Sequence, residues 1–231
     1  MKSRIFILVT TATLLAGMVT SALAGSISIP GLGSSVNAPV ASFTEAKFDG
    51  VIQQQFDYSC GSAALSTLLS YHYEDSSDEE TVFRAMYDAG DKKKIEALGF
   101  SLLDMKKYLE KRGYSADGFK LSLDKYVKYN VPAIVLLNTN GYKHFVVVKG
   151  IDSDKLLLGD PALGLRVVSY EQFLSEYGGI FFLIRDHATM GRYHFNQAEE
   201  WGVFDMSPQV KDVTPTGLSE FTLSLPRPRE F

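Results

Sequence analysis

The feature that most limits the fold of this chain is a change of pattern near residue 130. Beyond it, short apolar runs alternate with turn signals. Ala133 to Leu137, Phe145 to Val148, Leu156 to Leu158, Leu165 to Ser169 and Ile180 to Ile184 each read as a strand. Asn140-Gly141, Asp152 to Asp154 and Ala162 to Gly164 supply turns between runs. Links this short join antiparallel neighbours, because a parallel pair needs a crossover of about a dozen residues or more. A short helix at Tyr170 to Tyr177 interrupts the series. Ahead of the strands the pattern is helical. Residues 60 to 73 place Leu65, Leu68 and Leu69 on one helical face, and 78 to 89 and 101 to 112 predict two more helices. Helices first and strands afterwards predict an α+β fold with an antiparallel sheet.

Helix ends are also marked. Ser77 followed by Glu80 has the capping-box spacing. Gly113 suits the residue after a helix C-terminus, and Lys106, Lys107, Lys111 and Arg112 favour that end of the dipole. Asp91-Lys92-Lys93-Lys94 reads as a solvated loop.

The first 24 residues have the form of a cleaved secretory signal. Lys2 and Arg4 make the charged start, Ile5 to Thr20 an apolar stretch, and Ala22-Leu23-Ala24 a small-x-small cleavage site before Gly25. Residues 25 to 42, rich in Gly, Ser, Pro and Ala, read as a flexible lead-in. A folded domain is expected over 43–186, followed by a C-terminal extension over 187–231. No later segment predicts a membrane span, and the form of the signal points to the periplasm. Cleavage takes Lys2 and Arg4 from the 23 basic residues and none from the 27 acidic ones, moving the formal charge from −4 to −6. A mildly acidic protein is a poor nucleic-acid binder through its general field.

An exported chain with one cysteine has no intrachain disulfide to make. Cys60 is therefore a buried inert thiol, half of an intermolecular bridge, or a nucleophile. It falls at the first turn of a predicted helix, where unpaired N–H groups and the dipole stabilise a thiolate. Gly61 would let a substrate backbone approach. Four histidines are candidate bases. His72 shares the predicted helix with Cys60 at roughly 18 Å, too far to act, and His187 and His194 lie past the last strand. His144 starts a strand, and Asp160 ends the next one. An antiparallel pair would return Asp160 to the level of His144, where a carboxylate can bind one ring nitrogen and leave the other for the thiol. Plain turn chemistry is the rival reading of Asp160-Pro161. The histidines show no metal-ligand spacing, so neither a metal nor another cofactor is expected.

Three segments in order carry a resemblance: Gln54-x5-Cys60-Gly61, then Gly141-Tyr142-x-His144-Phe145-x-Val147-Val148, then Asp160-Pro161 sixteen residues after the histidine. Over roughly residues 50 to 185 the chain resembles the bacteriocin-processing, double-glycine leader peptidases, which are papain-like cysteine peptidases. The resemblance implies Cys60 as nucleophile, His144 as base, Asp160 as the orienting acid and Gln54 as the oxyanion-hole glutamine. It selects Gln54; spacing alone leaves Gln53 and Gln55 open. Members commonly form the cytoplasmic front end of a transporter with membrane helices and an ATPase. With its signal, this chain is more similar to free-standing periplasmic members that accompany secretion systems. That likeness implies a protein or peptide substrate, with amyloid subunits and secretion-pore components as candidate partners. The function expected is an exported cysteine endopeptidase that cleaves an exported protein or a part of its secretion machine. The alternative is a peptidase-shaped module that holds a substrate without cutting it.

Overall fold

The computed structural model describes residues 43–205 except 57 and 140. The expected signal, the lead-in and the end of the extension lie outside the described residues. The helical half runs α1 (Phe43–Lys47), α2 (Cys60–His72), α3 (Glu79–Ala89), α4 (Lys92–Leu98) and α5 (Leu102–Lys111). It is followed by β1 (Ala116–Phe119), α6 (Leu123–Val127), β2 (Ala133–Thr139), β3 (Tyr142–Ile151), β4 (Lys155–Asp160) and β5 (Gly164–Ser169). Then come α7 (Tyr170–Glu176), β6 (Tyr177–Ile184), α8 (Ala188–Tyr193) and α9 (Ala198–Asp205). The α+β expectation holds: the strands form one antiparallel sheet in the order β1-β6-β2-β3-β4-β5.

Helix α2 is the centre of the helical half. Ala63, Ala64, Leu65, Leu68 and Leu69 are all 0% exposed, and its serines and Thr67 are small enough to pack on its remaining sides. A helix apolar or small on every side over ten residues belongs inside, and only Ser70 and Tyr71 near its end reach water. It lies among α3, α5 and the sheet, sharing a core with Met105, Leu109, Phe145, Val147 and Phe182. The alternation of β3 divides two cores: Val146 and Val148 turn to the other face, with Tyr126, Phe173 and Phe181. There the Tyr126 and Phe181 rings stack at 3.9 Å between centroids.

Several details differ from the sequence reading. The cap of α3 is Asp78, whose side chain accepts from the Thr81 N–H, not Ser77. Either residue could serve; Ser77 is instead buried and tied to Ser70, which leaves Asp78 at the helix mouth. A capping box does form at Ser101 and Asp104, with the shorter aspartate in the usual place of glutamate. Asp91-Lys92-Lys93-Lys94 is not a loop. Asp91 caps α4 and the lysines form its exposed first turn. Strand β1 went unpredicted because Ala-Asp-Gly-Phe offers no apolar run; as an edge strand it is held by pairing with β6 alone.

The described part of the extension packs on the domain. Phe195 is 4% exposed and Val203 7%. Phe195 joins the core beneath α6 and α7, and Val203 packs with Val51, Leu157 and Leu165. Truncation after Asp186 is therefore expected to give an insoluble product or one without a cooperative urea transition. A soluble, cooperatively unfolding truncated protein would show that the extension is dispensable for folding.

Candidate active site

The site is assembled from the N-terminus of α2, the ends of β3 and β4, and the segment that leads into α2. That segment is tied at successive points. The Ile52 N–H donates to Thr67 Oγ1 at 2.9 Å, and the Gln54 N–H donates to the Pro161 carbonyl at 3.0 Å. Phe56 then packs on Phe83 of α3, at 5.6 Å between ring centroids. These contacts deliver Cys60 as the first residue of α2, only 8% exposed. The thiol lines a cleft of about 790 Å³ together with Tyr58, Phe100, Leu136, Tyr142 and Phe145. Gly61 does not face a substrate path: a Cβ there would meet Met105 Cε at 2.9 Å and Phe100 Cβ at 3.0 Å. Its bareness lets α2 sit close to α5.

The antiparallel pairing of β3 with β4 sets Val147 opposite Gly159, which brings Asp160 back to the strand end that carries His144. The His144 Nε2–Asp160 Oδ1 distance is 2.7 Å, and both side chains are buried. Asp160 is held from other sides as well. The Ala162 and Leu163 N–H groups donate to Oδ1 at 2.9 and 3.2 Å, and Arg166 donates to Oδ2 at 2.9 Å. One carboxylate thus both accepts from the turn it begins and bonds the imidazole. The flat face of Tyr142 stacks on the imidazole at 5.7 Å.

The charges follow from this geometry. Burial works against a charged imidazole, but the hydrogen bond to Asp160 and its charge, together with the neighbouring Cys60, outweigh it and raise His144 to about 9. Burial likewise opposes the Asp160 carboxylate, yet His144, Arg166 and the Ala162 N–H hold its pKa down to about 2. At neutral pH this is an imidazolium against a carboxylate.

Gln54 stands beside the Asp160-Pro161 turn. Its Nε2 donates to the Phe56 carbonyl at 3.2 Å, and an amide nitrogen has a second hydrogen to give. Gln53 and Gln55 are exposed. The other histidines lie elsewhere. His72 is buried in α2, His187 pairs with Asp186 at 3.1 Å and His194 with Glu74 at 2.9 Å. Among the described residues no group of three or more His, Cys, Asp or Glu is placed to hold a metal ion.

Arg166 was missed in the sequence because nothing in its spacing distinguishes it from a surface arginine of a strand. Its contact with Asp160 predicts a measurable effect. A carboxylate with a depressed folded-state pKa contributes stability that is full above about 4 and is lost as pH falls toward about 2. In Arg166→Gln the Asp160 pKa rises, so acid unfolding should begin at higher pH, and stability at pH 7 should fall by about 1–3 kcal/mol. Unchanged acid and urea transitions would show that the contact contributes nothing.

Comparison with known proteins places the chain in a family. Residues 49–189 match the family model of the peptidase C39 family. The probable functional amyloid protease FapD of Pseudomonas fluorescens is 38% identical over 171 residues, 74% of this chain and 75% of that one. FapD of Pseudomonas aeruginosa is 37% identical over 164 residues, 71% and 72% of the two chains. The peptidase domain of Streptococcus ComA, a bifunctional ABC transporter of a quorum-sensing pathway, has the same fold. It superposes with a TM-score of 0.50 at 22% identity, over 58% of this chain and 96% of that domain. The helical half, the antiparallel sheet and these relatives together make the chain a papain-like cysteine peptidase and a member of the peptidase C39 family.

Proposed function

We propose that the chain is an exported cysteine endopeptidase in which Cys60 is the nucleophile, His144 the base and Asp160 the group that orients the histidine. The observation that carries this reading is the buried 2.7 Å contact of His144 Nε2 with Asp160. It leaves Nδ1 for the thiol, and Cys60 is the other group that raises the ring's pKa. In the reaction the Cys60 thiolate attacks the scissile carbonyl. The imidazolium gives its proton to the departing amine. The neutral ring then takes a proton from the water that hydrolyses the thioester. Asp160 keeps Nε2 engaged throughout and stabilises the imidazolium. The oxyanion is met by the Cys60 backbone N–H, at a helix start that has no intrahelical acceptor, and by the free Gln54 amide hydrogen.

The substrate is a protein or peptide that passes through the same export route, or a part of the machine that moves it. Two relatives of Pseudomonas carry the name functional amyloid protease. Support of functional-amyloid secretion, with amyloid subunits or secretion-pore components as substrates, is the assignment those names favour. The signal-like residues Lys2 to Ala24 support a periplasmic site of work. Among the described residues, no helix is long and apolar enough to cross a membrane.

Mass spectrometry of exported proteins from wild-type and Cys60→Ala cells tests this reading. A protein that is cut in the wild type and intact in the variant is the expected result. On that substrate Gln54→Ala should lower turnover by about 10²–10³-fold while the protein stays folded. Gln53→Ala and Gln55→Ala should cost far less. Near-normal turnover in Gln54→Ala with a large loss in a neighbour would overturn the oxyanion assignment. Wild-type processing and secretion in all four variants would leave the module that holds without cutting as the better account.

A further inference from the structure

Lys149 is fully buried and takes no part in the chemistry above. It occupies the point in β3 where the register with β4 slips, between Val148 and Gly150. Such irregularities re-aim a side chain. This one sends the ammonium to the Gly50 carbonyl at 2.8 Å and to Glu200 Oε1 of α9 at 2.7 Å, 5.1 Å from the centre of the Tyr71 ring. A buried ion pair contributes little net stability against apolar side chains of the same size. What it supplies is a fixed position, and the group fixed here is the backbone at Gly50.

Gly50 begins the segment that carries Gln54. It has φ +84, and a Cβ on it would stand 2.6 Å from Glu200 Oε1. From there the chain is held residue by residue: Val51 against Val203 of α9, Ile52 to Thr67, and Gln54 to Pro161. The first of these anchors, like the Glu200 contact behind Gly50, comes from α9. That helix lies beyond the residues 49–189 that the family model covers.

We propose that Lys149 and Glu200 are positioning residues for the oxyanion donor Gln54, so that α9 is a working part of the active site. This rests on the role given to Gln54 above. The pair sets where the Gly50–Gln54 segment starts, and with it where the amide of Gln54 stands. The thiol stands at the far end of α2 from Tyr71, and His144 stands five residues from Lys149 along β3.

Two reactions of Cys60 separate these effects. Alkylation by iodoacetamide is a displacement at saturated carbon and forms no oxyanion. Acylation by N-acetylglycine p-nitrophenyl ester passes through a tetrahedral oxyanion. The sulfur–acyl bond forms, the ester C–O bond breaks, and p-nitrophenolate leaves with the electron pair. The ratio of the two rates reads oxyanion stabilisation alone. Replacing the pair together, Lys149→Met with Glu200→Leu, leaves no unpaired buried charge. In that variant, shown folded by a cooperative melt, alkylation should stay within about twofold of wild type while acylation falls about tenfold or more. In a Gln54→Ala background the same replacement should cost less than about twofold, because the donor it positions is already gone. If the double replacement does not fold, Glu200→Gln keeps the shape and is read in the same way. A folded variant that acylates like wild type, or that loses the same factor with and without Gln54, would overturn the proposal. Unimpaired acylation in Gln54→Ala alone would instead sink the oxyanion assignment beneath it.

Discussion

The hydrogen bond between Asp160 and His144 is the contact on which the rest of the site depends. A carboxylate that is 1% exposed is tolerable only when its oxygens are satisfied, and here four donors converge on them. Two are backbone N–H groups of the turn it begins, one is Arg166, and one is the imidazole. The first three fix the carboxylate, and the carboxylate fixes the ring. Because Nε2 is committed to Asp160, Nδ1 is left for Cys60, and the ring's preference for the charged form follows from that arrangement.

The fold serves this contact through two rigid references. One is α2, buried from Cys60 to Leu69, which fixes its first residue. The other is the β3–β4 pair, whose register returns Asp160 to the level of His144. The Gln54 backbone joins the two by bonding to the Pro161 carbonyl. The groups proposed to react therefore come from sequence positions far apart, yet each stands on an element end held by core packing. The aromatic stack of Phe56 on Phe83 and the edge-on contact of Phe83 with Phe100 extend that packing to one wall of the cleft.

Much of this was legible in the residues. Strands rich in Val and Leu with turns at short intervals dictated an antiparallel sheet, and the α2 pattern announced a helix that begins at Cys60. The pairing of His144 with Asp160 could be anticipated from the hairpin that links them. What could not be read were contacts between segments distant in sequence. Arg166 and Lys149 look like ordinary strand residues until the register shows what they reach. Gly61 looked like a gap for substrate, but its neighbours are Phe100 and Met105, some forty residues on. The caps show the same limit. Ser77 and Asp78 are both competent, and tertiary burial of Ser77 decided between them.

Asp160 sets the charge state of His144. Selective labelling of the histidine rings and an NMR titration of His144 measure it directly, in the wild-type protein and in Asp160→Asn. The account predicts a ring pKa near 9 in the wild type. In the variant, burial would act without the carboxylate, and the value should fall to about 6.5 or lower. A wild-type value already near 6.5, or one that Asp160→Asn leaves unmoved, would contradict it.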